Sequence, residues 1–253
     1  MGVLSNKIHG EDLKPGDHIY SWRQAYIYAH HGIYTGDGKV IHFTRGAGQE
    51  IGTGTFFDRI IFSSSPAHPS DNPCPQCGDY SRLDGVIISC IDCFLAGGNL
   101  YLFEYGVSPA LFLVKARGGT CTLATSDPPE DVLHRATFLL QNGFGVYHVF
   151  KKNCEDFAIY CKTGLLVNTS ISMGCSGQAA SLAAAVSAIV SSPLRYLTTS
   201  CSGLAAVGYG IYCVNRLVSD LGVRRDVEKV PVESLVANTS LDESSGATDI
   251  AKE

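Results

Sequence analysis

Two arms rich in aromatic and β-branched residues flank Gly36-Asp37-Gly38. They are Ala25-Tyr26-Ile27-Tyr28-Ala29-His30-His31-Gly32-Ile33-Tyr34 and Lys39-Val40-Ile41-His42-Phe43. Such residues suit a pleated, half-buried surface, and a Gly-Asp-Gly link turns the chain back on itself. The segment is therefore constrained to an antiparallel hairpin, with His18-Ile19-Tyr20-Ser21-Trp22 as a further short strand before it. Each arm carries a histidine. His30 and His42 lie on adjacent arms around the turn, so their side chains can approach on one face of the sheet.

Helical signals follow the hairpin. Asp127-Pro128-Pro129-Glu130 reads as a helix start, Val132, Ala136, Leu139 and Leu140 fall at helical spacing, and Asn142-Gly143 ends the run. Phe150-Lys151-Lys152-Asn153 leads into a second helix with Cys154 in its first turn. Between hairpin and helices, residues 45–100 are irregular: Gly-rich, then a Ser/Pro stretch (Ser63–Pro75), then a group of cysteines. Leu111-Phe112-Leu113-Val114 reads as a buried strand.

The chain has 253 residues, 45% of them hydrophobic and 17% charged, enough for one core plus a small appendage. Its net charge of −5, without a basic stripe, argues against a nucleic-acid partner. The start, MGVLSNKIHGEDLKPGD, lacks the features of a secretory signal. A cytoplasmic location is expected, with the ten cysteines as thiols, metal ligands or catalysts and the Asn168 and Asn238 sequons as chance matches. Gly2 invites myristoylation, but Asn6 stands where the strict pattern has Ser or Thr, so a lipidated and an ordinary start both stay open. Leu165–Leu194 and Tyr196–Asn215 hold no charge, yet Ser, Gly and Thr dilute both below a clean membrane span. They read as packed or interfacial helices, with Arg195 and Arg216 placed to snorkel at the ends of the two runs. From about Leu221 the chain turns polar and acidic and reads as disordered.

Asn153-Cys154-Glu155-Asp156-Phe157 carries the chemistry. At a helix N-terminus, unsatisfied backbone N–H groups and the dipole stabilise a thiolate, and Asn153 suits the cap. Glu155 and Asp156 favour the helix start but oppose the thiolate if they lie close to it. An activated cysteine also needs a base and a group that orients the base, and the two hairpin histidines can supply them. Residue spacing leaves this open against a buried thiol packed as a small hydrophobe.

The stretch from His30 to His42 resembles the histidine box of the lecithin retinol acyltransferase family: His-aromatic-Gly/Ala-Ile-Tyr-x-Gly-Asp, then a second His on the next strand. Lys14-Pro15-Gly16-Asp17 resembles that family's opening strand, and Asn153 to Gly164 its Asn-Cys-Glu-His-Phe block and following helix. The match runs over about residues 13–167 and is nearest the plant NC-domain branch. The resemblance implies an α+β fold, a permuted papain-like (NlpC/LRAT-type) antiparallel sheet with a nucleophile-bearing helix. It makes Cys154 the nucleophile, His30 the general base and His42 its orienting partner. His31 falls where the family has an aromatic residue, and Asp156 replaces the family's His. The implied reaction is attack of Cys154 on an ester or amide carbonyl to give a thioester, resolved by water, an alcohol or an amine. No cofactor is implied for catalysis.

Cys74-x2-Cys77-x12-Cys90-x2-Cys93 has the spacing of a four-thiolate zinc site. The second pair lies in the apolar run Val86–Leu95, so buried core thiols are the alternative. Soft thiolates would also take lead or cadmium. The resulting organisation is an N-terminal segment 1–12, a domain 13–167 with a cysteine-rich insertion at about 63–100, an apolar helical extension 168–220 and an acidic tail 221–253. The leading function is a thiol acyltransferase or acyl hydrolase acting on a lipid-like acyl donor, in contact with a membrane surface. The rival is a non-catalytic scaffold of the same fold linked to metal handling.

Overall fold

The computed structural model describes residues 5–23, 28–44, 74–78, 84–115, 117–145, 153–167, 177, 181 and 201–237. Gly2, both sequons, Arg195, residues 63–73 of the insertion and the tail from 238 onward lie outside the described residues.

The hairpin forms as its turn residues require. Strand β2 (Ala29–Gly36) and strand β3 (Lys39–Thr44) are joined by Asp37 and Gly38, at φ of 49° and 66°. Two consecutive positive φ values give a turn whose twist matches that of the strands it joins. Strand β1 (His18–Trp22), strand β4 (Gly85–Cys90) and the short strand β5 (Tyr101–Leu102) complete a five-stranded sheet in the order β4-β3-β2-β1-β5, every pairing antiparallel.

The two faces of the sheet are covered differently. Ile33, Ile41 and Phe43 share a core with Cys154, Phe157 and Cys161 of the helix that starts at Cys154, and with Val132, Ala136 and Leu139 of the helix before it. On the other face, Ile19 and Val40 pack with Phe94 and Leu100. Phe94 belongs to helix α1 (Ile91–Leu95), which follows β4 directly. Gly32 makes this close packing feasible. A Cβ there would fall 2.7 Å from Val40 Cγ1 and 2.9 Å from Phe94 Cε2, inside contact distance.

Leu111–Val114 is helical, contrary to the strand expected there: helix α2 spans Pro109–Val114. Ser108 caps it, its hydroxyl accepting from the Leu111 N–H at 3.3 Å, and Pro109 occupies the first turn. A four-residue apolar run has no period of its own, so the Ser-Pro start decides it. Helix α3 (Pro129–Asn142) follows its sequence signals, burying Val132, Ala136 and Leu139 and ending at Gly143 with φ 84°. Helix α4 (Cys154–Thr163) is buried almost all round, as a central helix must be.

Beyond α4, strand β6 (Leu165–Val167) pairs with strand β7 (Val227–Lys229), and helix α5 (Cys201–Val218) lies between them in the chain. The segment 221–237, expected as the start of a disordered tail, is instead docked on the domain. Leu221 and Val232 are buried, and the Tyr160 hydroxyl donates to the Val230 carbonyl at 2.9 Å. A few well-placed apolar side chains and a strand partner outweigh the polar composition. Arg216 does not snorkel. It is buried, its guanidinium 4.1 Å from the Phe112 ring centre and donating to the Lys115 carbonyl. No helix among the described residues is long and apolar enough to cross a membrane.

Candidate active site and cysteine cluster

Asn153 caps α4 reciprocally. Its side-chain oxygen accepts from the N–H groups of Glu155 (2.9 Å) and Asp156 (3.1 Å), while Asp156 Oδ2 accepts from the Asn153 N–H at 3.0 Å. The aspartate that replaces the family's His thus closes a capping box. Glu155 is likewise engaged, its Oε1 accepting from the Gly177 N–H at 2.8 Å. Both acidic neighbours of Cys154 have one oxygen tied to backbone N–H groups.

The Cys154 thiol is fully buried at this helix start. Its Sγ lies 3.1 Å from the Tyr28 hydroxyl and 3.8 Å from the Ala29 carbonyl, at the beginning of β2. His30 is the next residue along that strand. Its Nε2 sits 2.9 Å from His42 Nδ1, and His42 Nε2 sits 2.9 Å from the Ser89 hydroxyl. The hairpin therefore joins the two expected histidines. It does not join either to Cys154 by a hydrogen bond: His30 Nδ1 is buried without a partner, and both His42 nitrogens are engaged elsewhere. Burial pulls both rings toward the neutral form, aided for His30 by the charge His42 would carry, and His42 falls to about 3. Both rings are therefore neutral, and burial makes each a weak proton acceptor.

Strand alternation puts His31 on the opposite, α4-covered face. There its Nδ1 lies 2.9 Å from His18 Nε2, and His18 Nδ1 lies 2.7 Å from the Tyr105 hydroxyl. His18 stacks on Phe103 and His31 on Tyr20. His31 thus fills the family's aromatic position as a stacked ring in a second buried polar chain.

Three neighbours escaped the sequence reading. Tyr28, beside the thiol, looked like one more aromatic in a strand. Ser89 was hidden in the apolar run before Cys90, where a lone hydroxyl was the available signal. Phe94, whose ring centre lies 5.1 Å from that of His30 and 5.5 Å from that of His42, looked like ordinary core.

The four cysteines converge. The sulfurs of Cys74, Cys77, Cys90 and Cys93 all lie within 4.8 Å of one another. A tetrahedron of thiolates about 2.3 Å from a zinc ion would set them about 3.8 Å apart, and Cys74 and Cys90 stand at 3.8 Å. Cys74 to Gly78 forms the first knuckle, closed by the Gly78 N–H donating to the Cys74 carbonyl at 2.8 Å. The N–H groups of Gln76 and Cys77 bring the Cys74 thiol down to about 7. The second pair comes from the end of β4 and the middle of α1, with the Cys90 N–H donating to Cys77 Sγ at 3.0 Å. This donor set fits a metal ion.

Residues 11–167 match the family model described as Lecithin retinol acyltransferase. The chain is also 59% identical over 241 residues to Protein LEAD-SENSITIVE 1 of Arabidopsis thaliana, covering 95% of this chain and 92% of that protein. With the histidine pair on its hairpin and the cysteine at the head of a buried helix, the chain belongs to the lecithin retinol acyltransferase family.

Proposed function

We propose that the protein is a thiol acyltransferase or acyl hydrolase that takes its acyl group from a lipid-like ester through a Cys154 thioester. The observation that carries this reading is the placement of a fully buried thiol at an Asn-capped helix start, against the Ala29 carbonyl where β2 begins; the histidine pair leaves the opposite, Phe94-covered face of the sheet. The family resemblance assigns the thiol proton to His30, with His42 holding its ring, a transfer that requires the start of β2 to rearrange so that His30 meets the sulfur. The sulfur attacks the ester carbonyl, and the leaving alcohol receives the proton from His30. Water, an alcohol or an amine then attacks the thioester, returning the thiol. Family membership supports acyl transfer, and the sheet with its nucleophile helix is consistent with a permuted papain-like core.

The setting follows from the same reading. Cys121, Cys154, Cys161 and Cys213 are free of disulfides, as are the four cluster cysteines, and this reading places the protein in a reducing, cytoplasmic compartment. Tyr209, Val214 and Val218 on α5 are about half exposed and offer apolar contact to a membrane surface that supplies the acyl donor. The four-cysteine cluster is read as a structural zinc site. A non-catalytic scaffold drew support from Asp156 and from the cysteine insertion; Asp156 serves the helix cap, and the converged cysteines suit a structural metal in either reading.

The test is to incubate the protein with labelled phospholipid and peptide acyl donors and look by mass spectrometry for a hydroxylamine-sensitive adduct on Cys154. An adduct absent from Cys154→Ser is expected. No adduct from any donor, together with iodoacetamide labelling of Cys154 no faster than of Cys161, would favour the scaffold. Cys161 is the suitable control because burial pushes its thiol up.

A further inference from the structure

The five-stranded sheet has two outer edges, and the chain treats them differently. The N-terminal segment runs along the outside of β5, where the Leu102 N–H donates to the Asn6 carbonyl at 2.9 Å and the Ile8 N–H to the Leu100 carbonyl at 3.2 Å. No strand among the described residues pairs with the outside of β4. Its sequence, Gly85-Val86-Ile87-Ile88-Ser89-Cys90, carries neither a charge nor a proline, the residues that usually blunt an exposed edge. Ile88, near its middle, is 46% exposed.

Two hydrogen bonds fix which backbone groups point outward. The Ile91 N–H donates to the Gly38 carbonyl at 2.8 Å, so Ile91 bonds inward, on the β3 side. Successive residues of an antiparallel strand alternate between their two neighbours. Ser89, Ile87 and Gly85 therefore also bond toward β3, and Cys90, Ile88 and Val86 turn their N–H and C=O groups outward. Cys90 agrees with this parity, its N–H donating to Cys77 Sγ at 3.0 Å while its carbonyl accepts from the Ser89 hydroxyl at 3.3 Å. Both Cys90 groups are thus taken within the chain. Val86 and Ile88 remain, each with a donor and an acceptor that have no partner among the described residues.

We propose that β4 is a dimer edge, on which a second copy of this chain adds its own β4 antiparallel across a two-fold axis. The outward groups set the register. With Ile87 facing its counterpart on the axis, Val86 of each copy lies opposite Ile88 of the other. Four hydrogen bonds then use every outward donor and acceptor of these residues. A shift of two residues one way would set Val86 against Cys90, whose groups are already engaged. The opposite shift would set Ile88 against the charged Asp84. Directly opposed residues leave the same face of a sheet, so the exposed Ile88 side chain gains Val86 of the second copy as an apolar neighbour. A two-fold contact closes on itself, so assembly stops at two chains and the joined sheet has no open β4 edge.

The experiment runs the full-length chain through size exclusion with light scattering, from low-micromolar to sub-millimolar concentration. Reductant is present to exclude disulfide-linked dimers. The expected mass at high concentration is twice that of the chain. Ile88→Pro deletes an outward N–H but no bond to β3, so it should give a monomer with unchanged circular dichroism. Ile88→Lys, which keeps the backbone intact and puts a charge into the apolar pair, should do the same and guards against a proline that unfolds the strand. Amide exchange should be slow at Val86 in the dimer and fast in the Ile88→Lys monomer. A wild-type chain that is monomeric throughout overturns the proposal, whether Val86 exchanges fast, as on a bare edge, or slowly, as under a segment of the same chain. A dimer that survives both variants also overturns it, because the interface then lies elsewhere.

Discussion

His30 Nε2 and His42 Nδ1 lie 2.9 Å apart, although the strand register sets His42 opposite Gly32, two residues further along. The contact is a diagonal one, made possible because both side chains leave the same face of the sheet. The rings stand nearly perpendicular, at 88°. In the proposed reading His42 orients His30, whose Nδ1 is the base position.

The first prediction separates the adjacent histidines. His30→Ala should slow Cys154 alkylation and any turnover by about 100-fold or more, the usual worth of a general base. His31→Ala should leave the chemistry within a fewfold and instead lower the melting temperature, because it empties a stacked, buried site. If His31→Ala alone abolishes Cys154 reactivity at unchanged stability, the base lies on the other face of the sheet.

The cysteine cluster should carry about one zinc ion per chain through purification, as closed four-thiolate sites do. The Cys74→Ser and Cys77→Ser double change should remove it and lower the melting temperature. Elemental analysis and calorimetry together decide this. Zinc-free protein whose melting temperature is insensitive to the double change would make the cysteines core thiols. Zinc retained by the double variant would place it elsewhere.

Asp156 should act on stability more than on chemistry. Asp156→Ala breaks half of the reciprocal cap with Asn153 and is expected to cost about 1 kcal/mol in urea unfolding. Asn153→Ala, which leaves two N–H groups without their acceptor, should cost at least as much. A large gain in Cys154 reactivity in Asp156→Ala would mean that the carboxylate, despite its cap, restrains the thiolate.

Acid should destabilise the fold through four buried histidines, His18, His30, His31 and His42, since burial also lowers His30 and holds His42 at about 3. Burial holds His31 at about 3, and burial together with its neighbours His31 and Lys162 pulls His18 well below its ordinary value. In the unfolded chain all four titrate at about 6.5. Below that pH the unfolded state takes up protons that the folded state refuses, so stability falls as pH falls from about 6.5 toward about 3, and is fully present above that window. The urea midpoint should hold level between about pH 7 and 8 and drop steadily toward pH 4. His31→Phe should lessen the drop by removing one of the four sites. A midpoint independent of pH across that range would contradict the assignment.

Local chemistry fixed several elements without help from the rest of the chain. Asp37 and Gly38 adopt the positive φ that a two-residue turn demands, so the hairpin and its histidine pair were legible. The same holds for α3, with its proline start and glycine stop, and for Asn153 at the head of α4. The cysteine spacing announced a metal-type cluster, since short-range pairs leave few other uses for four thiols. Tertiary structure decided what depends on residues far apart in the chain. Ser89 acquires a role because β4 pairs with β3, and Phe94 because Gly32 leaves it room. Leu111–Val114 became helix because a short apolar run takes its conformation from its cap and its packing. Residues 221–237 are ordered because β6 offers β7 a strand partner and the core offers Leu221 and Val232 a place. Turns and caps are settled by bonds within a few residues, whereas burial and cross-strand contact exist only once distant segments meet.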